Sequence, residues 1–358
     1  MKKLIALFLI LAMLAGLAGC AGTTVVVGNC TCPPDAHEPV EAPTAAPDEL
    51  SPEGMLKTGL AILPEISGKN ATAEENGVVN YDVTVVAVTV DENGVIHDCV
   101  IDSVAVASEM GAAGNPVDIA PGSTPMAANS VQVLSKKEKG YDYGMVTAGS
   151  KYEWFEQTAA LAQFAEGKTV EQVKGGYSDD VDLATSASIY LGGYVAGIEA
   201  AAANAKSLGA EAGDELKMAV CASLDTSVKD AGGMAQLNVD AAALTLKGDV
   251  ITSCAIDSLQ AAVEFDGTGA VTTDLTVPPR TKTQLGFEYG MVDNKASKIG
   301  LEWFEQVENF CAYVCGKTAA EVAGIAVNEA EKPAEADLAA ECSISIGGFQ
   351  TLIAEAIG

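Results

Sequence analysis

Hydrophobic residues change their spacing along the chain, and each change marks a different kind of element. Leu4 to Leu17 is an apolar run behind Met1-Lys2-Lys3, too short to span a bilayer and patterned like the core of an export signal. From Thr31 to about Glu53 the apolar pattern gives way to Pro33, Pro34, Pro39, Pro43, Pro47 and Pro52 among Ala, Glu and Asp. Proline denies such a segment regular hydrogen bonding and stiffens it toward an extended tether. Tyr81 to Val90 and Val95 to Val104 are rich in Val and flank the turn signal Asp91-Glu92-Asn93-Gly94, which predicts a β-hairpin. Ala241 to Leu246 and Val250 to Leu259 repeat it around Lys247-Gly248-Asp249. Helical spacing then takes over. Trp303, Val307, Phe310 and Val314 mark one buried face. In the first copy the helix is expected from near Tyr152, with Ser150 and Glu153 at capping-box spacing, to a stop at Gly167.

The same order occurs twice. Tyr143-Gly144-Met145 returns as Tyr289-Gly290-Met291, Glu153-Trp154-Phe155-Glu156-Gln157 as Glu302-Trp303-Phe304-Glu305-Gln306, and Gly167-Lys168-Thr169 as Gly316-Lys317-Thr318. Cys99 to Ser103 matches Cys254 to Ser258, Asp182-Leu183-Ala184 matches Asp337-Leu338-Ala339, and Gly192-Gly193 matches Gly347-Gly348. The offset is 155 at the cysteine, 146 at Tyr-Gly-Met, 149 along the helix and 155 again at Asp-Leu-Ala, so length differences fall between motifs, where loops absorb them. The expected class is α+β: two tandem repeats, 51–203 and 208–358, each a small antiparallel sheet packed by helices. Each copy is expected to fold alone, and its final helix to run on through the paired glycines.

Ahead of the repeats, Leu17-Ala18-Gly19-Cys20 resembles the cleavage site of bacterial lipoproteins. That resemblance implies a signal peptide over 1–19, a lipidated Cys20 heading a Pro-rich tether over 20–50, and an extracytoplasmic protein held to the cell membrane. Charge excludes one class of partner. The chain has 20 basic and 49 acidic residues, a formal net charge of −29. Nucleic-acid binding rests on basic clusters that release counterions, and this field opposes it.

Candidate chemistry is sparse. His37 and His97 are the only histidines, which leaves no basis for histidine catalysis or a histidine-rich metal site. No phosphate-binding loop, nucleophile elbow or zinc-protease helix motif occurs. Cys30 and Cys32 at the root of the tether could hold a metal or form a redox pair. Cys311 and Cys315 share a helix face, as a metal half-site or as packed thiols, and Cys99 and Cys254 occupy equivalent strand positions that read as packing. Tyr143, Trp154 and Phe155 could stack on a planar ligand or fill a core. Gly192-Gly193 could admit a phosphate or let a helix lie close on the sheet. Asp182 and Asp337 read as helix N-caps or first-turn acids.

The order of these pieces resembles the bacterial FMN-binding domain of exported lipoproteins. The parallels are the hairpin around Gly94, the Tyr143-Gly144-Met145 loop, Trp154-Phe155, Phe164-Ala165-Glu166-Gly167-Lys168, and Leu183-Ala184-Thr185-Ser186-Ala187-Ser188. The resemblance implies an FMN joined through its phosphate to a threonine, which aligns with Thr185, and a site that draws on Tyr143, Gly144, Met145, Ser186 and Ser188. Asp182 and Leu183 depart from the family's Ser and Gly, and Ala340 removes the hydroxyl from the second copy. The expectation is therefore a non-catalytic, membrane-tethered binding or scaffold protein for a small molecule or surface protein, with a flavin electron carrier using the first copy as the alternative.

Overall fold

Val-rich strands give this chain its frame, and their burial patterns show what covers each face. A computed structural model describes residues 54–110, 123–125, 129–229 and 232–358. The expected signal peptide and tether, with Cys20, Cys30 and Cys32, lie outside the described residues. Copy one contains β1 (Lys57–Lys69), β2 (Gly77–Val90), β3 (Ile96–Met110), β4 (Ser123–Pro125), β5 (Asn129–Val133), α1 (Lys136–Lys139), α2 (Trp154–Ala165), α3 (Val170–Gly176), α4 (Val181–Ser186) and α5 (Gly192–Ala203). Copy two contains β6 (Glu215–Lys229), β7 (Gly232–Lys247), β8 (Val250–Asp266), α6 (Lys282–Leu285), α7 (Trp303–Val314), α8 (Ala319–Ala323), α9 (Ala336–Glu341) and α10 (Gly347–Ile357). The class is α+β. Among the described residues no helix is long and apolar enough to cross a membrane.

The first half of β2 alternates between buried and more exposed positions, and its second half is buried without a break. Alternation needs one covered face and continuous burial needs two. The covers are distinct. Val79, Tyr81, Val83 and Val85 face Leu224, Leu237, Val239 and Leu259 of the other sheet, whereas Val86, Val88 and Val90 pack on Trp154, Leu161 and Ile198 of the helices. Copy two mirrors this, with Leu244, Leu246 and Ile251 under Trp303, Phe310 and Leu352. The result is four layers: helices, sheet, sheet, helices. Tyr81, 1% exposed, reaches from one sheet to donate to the Ala235 carbonyl of the other at 2.8 Å. Residues 50–358 form a single unit, and the core between the sheets stands against the expectation that each copy folds alone.

The sheets run β1-β2-β3-β4 and β5-β6-β7-β8, antiparallel except for β4 beside β3. The expected hairpins are there as β2–β3 and β7–β8, and β1 and β6 add a third strand to each. The connection exchanged between the copies is β5. It precedes α1 in copy one yet pairs with β6 of copy two, from Asn129 opposite Thr226 to Val133 opposite Ala222. It falls in the stretch where the offset drops from 155 to 146, so the extra length of copy one builds an edge of the other sheet.

Three local expectations need correction. The helix α2 begins at Trp154, and its capping box joins Glu153 to Glu156, while the Ser150 hydroxyl donates to the Tyr152 carbonyl. The closing helix is two helices. α4 ends at Ser186, and α5 starts afresh at Gly192. The paired glycines do not make the close approach to the sheet. A Cβ on Gly193 would meet nothing within 4 Å, whereas one on Gly197 would lie 2.6 Å from Val86 and one on Gly59 would lie 2.0 Å from the Ala201 carbonyl. Asp182 is a first-turn acid, and the side chain that caps α4 is Asp180.

Candidate functional site

The repeated motifs meet around the N-terminal end of α2 and of α7. Glu153 is 1% exposed, and its two carboxylate oxygens accept the Met145 and Val146 amides, both at 2.9 Å. Glu302 takes the Met291 and Val292 amides at 2.8 and 2.9 Å. The Tyr-Gly-Met loop is thereby fixed to the helix. Gly144 sits at φ +86° and closes the short 3-10 turn Gly140–Tyr143, a left-handed conformation that excludes most side chains. Four residues after the glutamate, Gln157 is equally buried, and its oxygen accepts the Ser188 amide at 2.7 Å and the Ser188 hydroxyl at 3.2 Å. Its amide group donates to the Tyr152 carbonyl at 2.9 Å and approaches the Met145 sulfur at 3.8 Å. Gln306 holds Ser343 in the same way, at 2.8 and 3.0 Å. Gly167-Lys168-Thr169 is also a clasp: Gly167 donates to the Ile96 carbonyl, Lys168 reaches back to the Phe164 carbonyl, and Thr169 caps α3.

Of the residues the sequence marks for a ligand, Met145 and Ser188 are thus brought together at Gln157. Tyr143 lies elsewhere, beside Lys136. Thr185 is exposed on α4, its hydroxyl donating to the Asp182 carbonyl at 2.9 Å, and Ser186 ends that helix half-buried.

Both copies also hold a partly buried charge cluster. Lys136, 4% exposed, places its ammonium 5.5 Å from the Trp154 ring and 5.9 Å from the Tyr143 ring, and 3.4 Å from both Asp82 carboxylate oxygens. Ser103 donates to Asp82 at 2.9 Å. Asp102, buried beneath, accepts the Ser103 and Lys137 amides at 2.7 and 3.1 Å. Burial pushes the Asp102 carboxyl up despite those donors. In copy two Lys282 lies over Tyr289 and Trp303 at 5.5 and 5.0 Å, and burial pulls it down against the opposing pull of Asp240 and Asp257. The two sites differ most at the partner of the tryptophan. Trp154 donates to the Tyr194 hydroxyl at 2.8 Å, and burial pushes that phenol up to about 12. Phe349 stands at the equivalent place, edge-on to Trp303. The signal was in the chain: Ser135-Lys136 lies as far before its Tyr-Gly-Met as Thr281-Lys282 does before the second one.

A substantial opening lies between the copies. A cavity of about 890 Å³ is walled by Leu60 of β1, Ile256 of β8, and Phe304 and Val307 of α7, with Lys206 and Glu308 paired at its rim at 2.6 Å. Cys254, Cys311 and Cys315 also line it. Small-molecule sites span roughly 300–1,000 Å³ and are mostly apolar with a few polar anchors, which describes this wall. Among the described residues no group of three or more His, Cys, Asp or Glu side chains is arranged to hold a metal ion. No protein-family model, curated protein or solved structure matches the chain.

Proposed function

We propose that the protein is an extracytoplasmic lipoprotein, anchored through Cys20, that binds a small apolar or amphipathic molecule in the cavity between its two copies. The cavity of about 890 Å³ carries this reading, because both copies and the linker residue Lys206 contribute to one apolar wall. The repeated polar motif residues are already engaged: Glu153, Gln157 and their counterparts use their polar atoms to hold loops. The reading is one of binding, with the apolar wall supplying the affinity. The test uses Nile red, a neutral apolar dye that the chain's negative field does not repel. Ala312 is exposed and lines the cavity, so Ala312→Trp fills the opening from its rim and leaves the core intact. A loss of dye affinity of about tenfold or more is expected, the scale of 1.4 kcal/mol in binding. Unchanged affinity in the folded variant removes the cavity as the site.

A flavin carried by copy one is the second reading, favoured by the exposure of Thr185. A phosphoester needs a hydroxyl that a transferring enzyme can reach, and Ala340 offers none. Co-expression with an FMN transferase is expected under this reading to add one FMN-phosphoryl mass, lost in Thr185→Ala. An unmodified wild-type mass sets it aside.

A further inference from the structure

Copy two places two thiols in contact where copy one has one. Cys254 on β8 is 2% exposed and Cys311 on α7 is 6% exposed, and the Cys254 thiol donates to the Cys311 sulfur across 3.3 Å. At the matching positions copy one has Cys99 and Ala162. The third thiol is turned to a different partner, since Cys315 donates to the Cys311 carbonyl one helical turn back at 3.3 Å. A disulfide has its sulfurs about 2.05 Å apart, so Cys254 and Cys311 need to approach by a little over 1 Å, a small rotation about each Cα–Cβ bond. Both cysteines line the cavity, which gives a small oxidant a route toward the buried pair.

We infer that Cys254 and Cys311 form a thiol–disulfide couple on the cavity wall, specific to copy two and oxidised by low-molecular-weight disulfides. The reaction balances in two exchanges. Cys311, as thiolate, attacks one sulfur of a disulfide R–S–S–R, forming Cys311–S–S–R and releasing RS⁻. Cys254 gives up its proton and attacks the Cys311 sulfur, forming the protein disulfide and releasing the second RS⁻. The two thiol protons end on the released thiolates, so the couple loses two electrons and two protons and R–S–S–R becomes two RSH. Oxidised, the bond ties α7 to β8 and fixes the wall they share. Burial and the neighbouring Cys311 push the Cys254 thiol up, which slows exchange, so the reaction is followed as a time course. The inference does not depend on ligand binding in the cavity and survives failure of that reading.

The full chain, purified from membranes under reducing conditions, is titrated with oxidised glutathione, quenched in acid, alkylated with iodoacetamide in denaturant, and peptide-mapped. The expected result is a linked Cys254–Cys311 peptide pair, lighter by two hydrogens than the separate peptides and abolished by dithiothreitol, with Cys99 alkylated throughout. Cys311→Ala reproduces the packing that copy one already tolerates at Ala162, and in it Cys254 should stay fully alkylated. The inference fails if Cys254 and Cys311 both remain alkylated across the titration, if either links to Cys315 or to another cysteine instead, or if Cys254 is still protected in the folded Cys311→Ala variant.

Discussion

Single buried polar side chains decide where the loops of this protein sit. Glu153 is the clearest case, because two backbone amides converge on one carboxylate that water does not reach. Glu153→Gln preserves shape but replaces one acceptor oxygen with a donor, leaving an amide facing an amide. The expected loss is about 1–3 kcal/mol, the penalty of an orphaned buried donor and a lost charge-assisted bond. Urea unfolding checks it against Glu171→Gln, an exposed first-turn acid expected to stay within about 0.5 kcal/mol of wild type. An equal midpoint for both variants would show that the glutamate clasp contributes nothing. The repeat made Glu153 and Gln157 visible as recurring letters. Their task was not legible, since a bond from Gln157 to Ser188 spans residues that no local pattern links. The lysine cluster was legible in principle, because Lys136 and Lys282 stand at equal distances from Tyr-Gly-Met, but a lone lysine among solvated ones carries no signal until burial is known.

At the scale of elements, the sequence was most readable where one period dominated. The β2–β3 hairpin follows from its β-type composition around Asp91-Glu92-Asn93-Gly94, the β7–β8 hairpin from its repetition, and the buried face of α7 from 3.6-residue spacing. β1 escaped for a physical reason. It carries Gly59, Pro64 and Gly68, which read as turn formers, yet it is an edge strand, where a proline without an N–H is tolerated. Gly59 is itself required, because α5 passes so close that a Cβ would strike the Ala201 carbonyl. β6 escaped because Glu215, Lys217, Ala219, Ala222, Asp225 and Lys229, residue types depleted in strands, interrupt its β-formers. The break between α4 and α5 was hidden because Ala187 to Leu191 contains no Pro or Gly, and Gln157 drawing the Ser188 and Ile189 amides inward shows why the helix does not continue.

For the whole molecule, the decisive feature is the core that the two sheets share. Leu216, Leu224, Leu237, Val239, Leu259 and Val263 of copy two are buried in it. At about 2 kcal/mol for each side chain, their exposure would forfeit on the order of 10 kcal/mol, as much as the net stability of an ordinary domain. A fragment spanning 208–358 is therefore expected to aggregate or to bind apolar dye, and to recover a cooperative transition only with the 51–207 fragment present. Size-exclusion chromatography and circular dichroism of the fragments, alone and mixed, decide this. A monomeric fragment unfolding cooperatively by itself would refute the shared-core argument. The crossing of β5 onto β6 carries the dependence into time. Synthesis delivers copy one first, with a strand whose partner has not yet been translated and an inner sheet face with nothing to cover it. Local structure can form as the chain emerges, but the topology must wait for its C-terminal half. Such high contact order places the protein among slow folders, with a first half whose inner sheet face stays open to aggregation until the second half packs on it.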